Sequence, residues 1–302
     1  MQRSSLRRRL RTMPVAVVTD STTYLPRAVA DEAGLHQVSL YVNMDGKSVP
    51  EADLPDYTHF YDGLRTAASL PTTSQPSVGD FLAIYEPLMA QGNDIVSIHL
   101  SGGISGTVEA ARQAAEQAMA DNPQRRIEVI DSRSACGGAG LVALAAAAAV
   151  RGGGNVDQVA DRARRAVDTF GFWFAVDTLE FLQRGGRIGL AQAWIGTALR
   201  VKPILTFQDG QMAPVERVRT SRRAFERMVE LLRSRAADGL TAWVVQHIQD
   251  PETAARLVEA GTEVMGCPPV FVSEIGPVIG THTGPGLLGA GSMAPELLSE
   301  RL

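Results

Sequence analysis

The run His99-Leu100-Ser101-Gly102-Gly103-Ile104-Ser105-Gly106-Thr107 combines glycines with hydroxyls between an apolar stretch (95–99) and a helical pattern (106–121). Glycines let the backbone turn tightly, and the start of a helix leaves amide N–H groups unpaired at the positive end of its dipole. Such a place suits a phosphate, a sulfate or a carboxylate, with Ser105 adding a hydroxyl donor. The spacing is neither the dinucleotide fingerprint nor the phosphate loop with its lysine. From these residues alone two readings stand: a plain strand-to-helix turn with Ser105 as N-cap, or an anion site. Thr72-Thr73-Ser74-Gln75-Pro76-Ser77 is a second hydroxyl-rich turn before a helix. Its residues are ordinary cap and turn formers. Two such turns in one α/β domain can nevertheless converge at the carboxyl edge of the sheet, where open sheets bind ligands. His282, in Ile279-Gly280-Thr281-His282-Thr283-Gly284-Pro285-Gly286, is read at the end of a strand (278–282) beside a Gly-Pro-Gly turn. There it can hydrogen-bond across a cleft or serve the core. Arg184-Gly185-Gly186-Arg187 places two guanidinium forks on a turn. They are solvated charges or ion pairs, or they dock an acidic partner or a phosphate, for which the planar fork is suited.

A serine hydrolase or acyltransferase would use Ser105 as nucleophile and His282 as base, and needs a third group to orient the base. Ser105 sits between Ile104 and Gly106, outside any G-x-S-x-G elbow. Asp20, Asp131 and Asp177 each close a strand pattern, and the sequence selects none of them as the orienting acid. His36, His59, His99 and His247 read as strand-end or surface residues. There is no H-E-x-x-H and no pair of metal ligands at helical spacing. Cys136 and Cys267 are too few for a disulfide scaffold or a zinc cluster and read as small buried residues of a reducing compartment. No cofactor or metal is expected.

The elements that must position these groups follow from periodicity. Apolar runs at 15–18, 95–99 and 127–131 read as buried parallel strands, with a further strand at 36–42. Helices are expected from Pro26 to Gly34, after Ser77, and over 106–121, 137–150 and 155–169. Ser77 and Asp80 form a capping box ahead of the stripe Phe81, Ile84, Tyr85, Leu88. Pro87 should kink that helix or end it early. Residues 44–70 read as polar and irregular. Alternating strand and helix at this spacing means a largely parallel sheet with helices on both faces. Beyond Phe172 the pattern changes. Strands 202–208 and 211–218 meet at Asp209-Gly210, a strong hairpin signal. A helix carries Phe225, Met228, Val229 and Leu232, and strands at 240–247, 270–274 and 278–282 surround a helix at 251–261. The expected fold is an N-terminal α/β domain (13–167) and a C-terminal α+β domain (168–302) with a mixed or antiparallel sheet.

The composition agrees with this. The chain has 302 residues, 45% hydrophobic and 21% charged, with a net charge of −4. That is ordinary globular usage without the basic face that nucleic acid requires. Residues 1–12 carry Arg3, Arg7, Arg8, Arg9 and Arg11 and no acid, and read as a disordered tail ahead of Met13. No apolar run reaches the ~18 residues that span a bilayer. A cytoplasmic protein is expected, with no nucleic acid and no membrane segment.

Taken in order, Val18-Thr19-Asp20-Ser21-Thr22, Thr73-Ser74-Gln75-Pro76-Ser77, the Ser-Gly-Gly-Ile-Ser-Gly-Thr turn, Asp131-Ser132-Arg133, Arg184-Gly185-Gly186-Arg187-Ile188 and His282-Thr283-Gly284-Pro285-Gly286 closely resemble the DegV family of bacterial fatty-acid-binding proteins. The likeness runs over essentially residues 13–290. It implies a fatty acid held inside a two-domain protein similar to the binding subunits of bacterial fatty acid kinase. Those present the carboxylate to a separate kinase subunit for acyl-phosphate formation. By motif, the carboxylate would meet Thr73, Ser105, the Gly106 amide and His282, and Arg184 would lie near the kinase contact. Gly102-Gly103 replaces the family's more usual Ser-Gly pair, which removes one hydroxyl. An apolar tunnel is also required, for which 140–150 and the Phe81 stripe are candidates alongside their role as core.

Overall fold

The computed structural model describes residues 13–54, 56–66, 70–195 and 201–302, so the arginine-rich tail expected at 1–12 lies outside the described residues. In chain order the first half contains β1 (Val15–Asp20), α1 (Arg27–Glu32), β2 (Leu35–Val38), β3 (Tyr41–Met44), β4 (Lys47–Pro50), α2 (Thr58–Thr66), β5 (Thr72–Ser74) and α3 (Val78–Ala90). It continues with β6 (Asp94–His99), α4 (Thr107–Asp121), β7 (Ile127–Asp131), α5 (Gly137–Arg151) and α6 (Val156–Thr169). The second half contains β8 (Gly171–Ala175), α7 (Glu180–Arg184), β9 (Lys202–Gln208), β10 (Gln211–Val218), α8 (Ser221–Ala237) and β11 (Ala242–His247). It ends with α9 (Pro251–Met265), β12 (Phe271–Glu274), α10 (Pro277–Thr283) and β13 (Leu288–Met293).

These elements build a four-stranded sheet of order β2-β1-β6-β7, parallel throughout, and a six-stranded sheet of order β10-β9-β8-β13-β11-β12. The second sheet is antiparallel except for the β11–β12 pair. A small antiparallel sheet, β4-β3-β5, stands beside the first. Helix α5, alanine-rich and buried along nearly its whole length, contacts strands of both large sheets. A helix apolar all round must be covered on every side. Its small side chains give one continuous core from Val17 and Ile98 through Leu141 to Phe172 and Val244. Helices α3 and α4 cover the far side of the parallel sheet, and α8 and α9 the far side of the mixed sheet.

The structure departs from the sequence expectations in several places. The strand expected at 36–42 is two strands, because the chain leaves the parallel sheet after Val38 and joins the small sheet at Tyr41. Residues 44–70, expected to be irregular, contain β4 and α2. Helix α3 runs through Pro87 to Ala90, three residues beyond the proline. The segment 278–282 is helical. Pro277 supplies the fixed φ of a first helical residue, and the Glu51 carboxylate accepts the Val278 amide at 2.7 Å. Thr281 and Thr283 donate to the Pro277 and Ile279 carbonyls four residues back, so their β-branched shape does not force a strand. Strand β13 is disguised by glycine: a Cβ on Gly291 would stand 2.6 Å from the Phe172 ring and from the Gly171 carbonyl oxygen.

Candidate functional site

The carboxyl ends of β1 and β6 are the point where the parallel sheet reverses its order, and a cavity opens beside the turn that leaves β6. Its volume is about 310 Å3, near the lower end of the ~300–1,000 Å3 usual for small-molecule sites. Leu40, Leu100, Ile104, Met212, Val278 and Ile279 make its walls apolar. Thr73, Ser105, His282, Gln75 and Arg187 bring polar groups to it. Walls from both halves of the chain therefore enclose one space.

Each polar group arrives by a definable route. Thr73 is the middle residue of β5, paired with Val42 of β3. Because Val42 faces the core, the pleat directs Thr73 inward while Thr72 and Ser74 stay exposed. After β6 the chain closes a turn in which the Ile104 and Ser105 amides both donate to the Ser101 carbonyl at 3.1 Å. Ser101 Oγ donates to the Gly210 carbonyl at 2.7 Å, which fastens this turn to the β9–β10 hairpin. Gly103 permits that approach, since a Cβ there would stand 2.5 Å from the same carbonyl oxygen. Gly106, and not Ser105 as expected, is the N-cap of α4. Its bare Cα leaves room for the Gln75 side chain, with which any Cβ would collide. Ser105 Oγ contacts Thr107 Oγ1 at 2.9 Å and accepts the Thr107 amide at 3.3 Å.

His282, in the last turn of α10, lies 2.8 Å from Thr73 Oγ1 through Nε2. Its Nδ1 is buried without a partner among the described residues and faces Gly185. Burial, and then the nearby Arg187 charge, push its pKa down to about 4, so the ring is neutral at pH 7. An unpaired buried N–H is rarer in proteins than an unpaired acceptor. The neutral tautomer is therefore assigned with the proton on Nε2, donating to Thr73 Oγ1, which leaves the threonine hydroxyl proton to donate into the cavity. Thr73, Ser105 and His282 thus meet at one cavity, with Gly106 adjoining Ser105. Arg184 stands apart at the exposed end of α7, 3.4 Å from Glu180.

One group, Glu51, escapes the sequence, and Arg187 is singled out there only as one fork of a pair. Glu51 is buried beneath the cavity wall and accepts from Ser21 Oγ (2.8 Å), Tyr24 Oη (2.9 Å) and the Val278 amide. Ser21 Oγ also accepts the Leu40 amide at 3.1 Å, so one carboxylate braces two cavity walls. Burial pushes its pKa up to about 7. Arg187, three residues from Arg184, donates to the Ile104 carbonyl at 3.3 Å and the Gly185 carbonyl at 2.8 Å. The proximity of the two arginines in sequence conceals that only the second lines the cavity.

Among the described residues, the histidine with an acidic hydrogen-bond partner is His99. Its Nδ1 lies 3.1 Å from Asp20, and its Nε2 lies 2.7 Å from Ser97 Oγ, to which Tyr85 donates at 2.7 Å. Asp20 also accepts the Leu100 amide, fixing the start of the β6 turn. This Asp–His–Ser chain is wholly buried and has no access to the cavity. At the cavity itself His282 has no orienting carboxylate among the described residues, and its contact is Thr73. The Phe81 stripe packs on the far side of the parallel sheet, and α5 is core, so neither lines the cavity. Among the described residues no helix is long and apolar enough to cross a membrane.

Residues 14–294 match the family model described as "Uncharacterised protein, DegV family". Protein DegV of Bacillus subtilis (strain 168) is 38% identical over 279 residues, covering 92% of this chain and 98% of that protein. Among solved structures, a DegV family protein from Thermus thermophilus described for its fatty acid binding is similar with a TM-score of 0.85 and 34% identity, over 93% of this chain and 100% of the other. DegV from Bacillus subtilis, described as a fatty acid binding protein, gives a TM-score of 0.82 and 36% identity over 93% and 99% of the two chains.

Proposed function

The chain belongs to the DegV family, and from that premise we propose that it is a fatty-acid-binding protein without catalysis of its own. It holds a long-chain fatty acid and presents the carboxylate to a separate fatty acid kinase subunit. The observation that carries this is the 2.8 Å Thr73–His282 contact, which joins the two halves beside Ser105 at a cavity with apolar walls. The carboxylate accepts from the Thr73 and Ser105 hydroxyls and the Gly106 amide at the start of α4, while neutral His282 holds Thr73 in its donating orientation. A carboxylate leaving water requires such partners. The tail lies along Leu40, Leu100, Val278 and Ile279. Burying about 14 methylenes at ~0.8 kcal/mol each gives on the order of 11 kcal/mol gross, before ordering costs.

In the kinase step a carboxylate oxygen forms a bond to the γ-phosphorus of a nucleoside triphosphate held by the partner, and the bond to the diphosphate breaks. The sequence has no phosphate loop of its own. In this reading Arg184, exposed at the end of α7, is the residue assigned to the kinase contact by its motif. Titration of the protein with palmitate tests the binding. Arg184→Ala should lower acyl-phosphate formation with the cognate kinase while palmitate still binds, and undiminished formation would remove Arg184 from that role. The hydrolase alternative is disfavoured because, among the described residues, His282 has no orienting acid and its hydrogen bond goes to Thr73 and not to Ser105. A serine-directed fluorophosphonate is expected to leave Ser105 unlabelled.

A further inference from the structure

Helix α10 places Val278, Ile279 and His282 on the cavity wall, and at about 3.6 residues per turn these three share one side of the helix. Its N-cap is Gly276, which has no side chain to offer the first turn. The amides of the second and third helical residues, which an N-cap side chain ordinarily satisfies, are met from far away in the chain. Glu51 accepts the Val278 amide at 2.7 Å. Tyr24 Oη accepts the Ile279 amide at 3.2 Å and donates to Glu51 at 2.9 Å. We propose that Tyr24 and Glu51 are positioning residues for the ligand site, capping α10 from outside and thereby fixing where His282 stands against Thr73. This rests on the fatty-acid reading above and deepens it, from the groups that touch the carboxylate to the pair that places them.

The surroundings are shaped for this contact. A Cβ on Gly276 would stand 2.7 Å from the Tyr24 ring and 2.8 Å from the Glu51 carboxylate, so the glycine forgoes a cap of its own and admits theirs. Tyr24 has a φ of 48° and a ψ of 35°, left-handed backbone that is strained for a bulky residue and easy for glycine. A turn alone does not call for tyrosine there; the phenol does. Both side chains are buried, so water does not replace them. From a second side, Tyr61 Oη donates to the Ile275 carbonyl at 2.7 Å, and Gly280 lies against the same phenol. Val278, Ile279 and Thr281 are β-branched and favour extended backbone, so the helix depends on its cap. Tyr24 and Glu51 themselves do not line the ligand cavity, and Tyr24 reaches it through α10.

The test is a double-mutant cycle on the full-length protein, read by palmitate titration with urea unfolding alongside. Tyr24→Phe removes one oxygen and leaves the bonds from Glu51 to Ser21 and from Ser21 to Leu40 in place. Made in the wild type, it should raise the palmitate Kd by roughly fivefold. Made in Thr73→Val, where no hydroxyl is left for His282 to hold, it should change the Kd by less than about twofold. Glu51→Gln keeps an oxygen for both the Val278 amide and the Tyr24 hydroxyl and should bind within about twofold of the wild type. Glu51→Leu should lose at least as much as Tyr24→Phe; if it does not fold, the Tyr24→Phe cycle decides alone. Equal fold-losses in the two backgrounds would mean that the pair serves only the stability of the fold, and would overturn the proposal. So would unchanged palmitate binding by Tyr24→Phe, or a Glu51→Gln protein that binds no better than Glu51→Leu. Failure of the wild type to bind palmitate would instead overturn the fatty-acid reading itself, a result separable from the others.

Discussion

Replacing Thr73 with valine keeps the branched shape that β5 requires and removes a single oxygen. That oxygen lies 2.8 Å from His282 Nε2 and supplies one of the donors assigned to the ligand carboxylate. Losing a hydrogen bond to a charged group costs about 1.5–3 kcal/mol, which raises the palmitate Kd by roughly 10- to 150-fold at about 1.4 kcal/mol per decade. A second effect falls on the folded state. His282 Nδ1 is already without a partner, so Thr73→Val leaves both ring nitrogens unsatisfied. An unsatisfied buried donor costs about 1–3 kcal/mol, so the unfolding midpoint in urea should drop as well. Thr73→Ser restores the oxygen and should recover most of both losses. The assay is calorimetric titration with palmitate, alongside urea unfolding of the three proteins. A Thr73→Val protein that binds palmitate within about twofold of the wild type would refute the assignment of this hydroxyl to the carboxylate.

Two further predictions concern the frame around the cavity. Glu51 keeps its proton in the folded protein up to about pH 7, whereas the unfolded chain releases it near the ordinary 4.5. Between those values the folded state binds more protons, so stability falls as pH rises, by on the order of 3 kcal/mol across the window, and levels off above it. Glu51→Gln lacks this dependence, and its urea midpoint relative to the wild type should rise from pH 4.5 to pH 8; a constant difference would contradict the account. Gly103→Ala drives a Cβ toward the Gly210 carbonyl and should destabilise the protein by about 1–3 kcal/mol while weakening palmitate binding. Wild-type stability in that variant would mean that the β6 turn and the β9–β10 hairpin are not fastened to one another.

Local signals proved the most legible. Ser77 and Asp80 form the expected capping box, with the Asp80 amide bonded to Ser77 Oγ and the Ser77 amide to the Asp80 carboxylate. Asp209 and Gly210 both adopt positive φ, as a two-residue hairpin turn demands, and the flanking strands begin and end where the alternation places them. Thr73, Ser105 and His282 were readable as chemistry-bearing residues because each sits in a short polar motif next to a regular element. What escaped depends on distant partners. Helix α10 carries a strand-like sequence and is helical because Pro277 and the remote Glu51 start it. No strand is expected at β13 from the sequence, because glycine weakens a strand pattern, and those glycines make room for Phe172, about 120 residues earlier in the chain. Asp20 orients His99 across 79 residues, and no local pattern distinguishes it from Asp131 or Asp177. The roles of Arg184 and Arg187 likewise diverge only when Ile104 is brought alongside.

The most direct test of lipid occupancy is mass spectrometry of the organic extract from protein purified gently out of a bacterial host. A long-chain fatty acid recovered in near-equal amount to the protein, and reduced in extracts of Thr73→Val, is the expected result. Extracts in which no such lipid accompanies the wild-type protein would contradict the central claim.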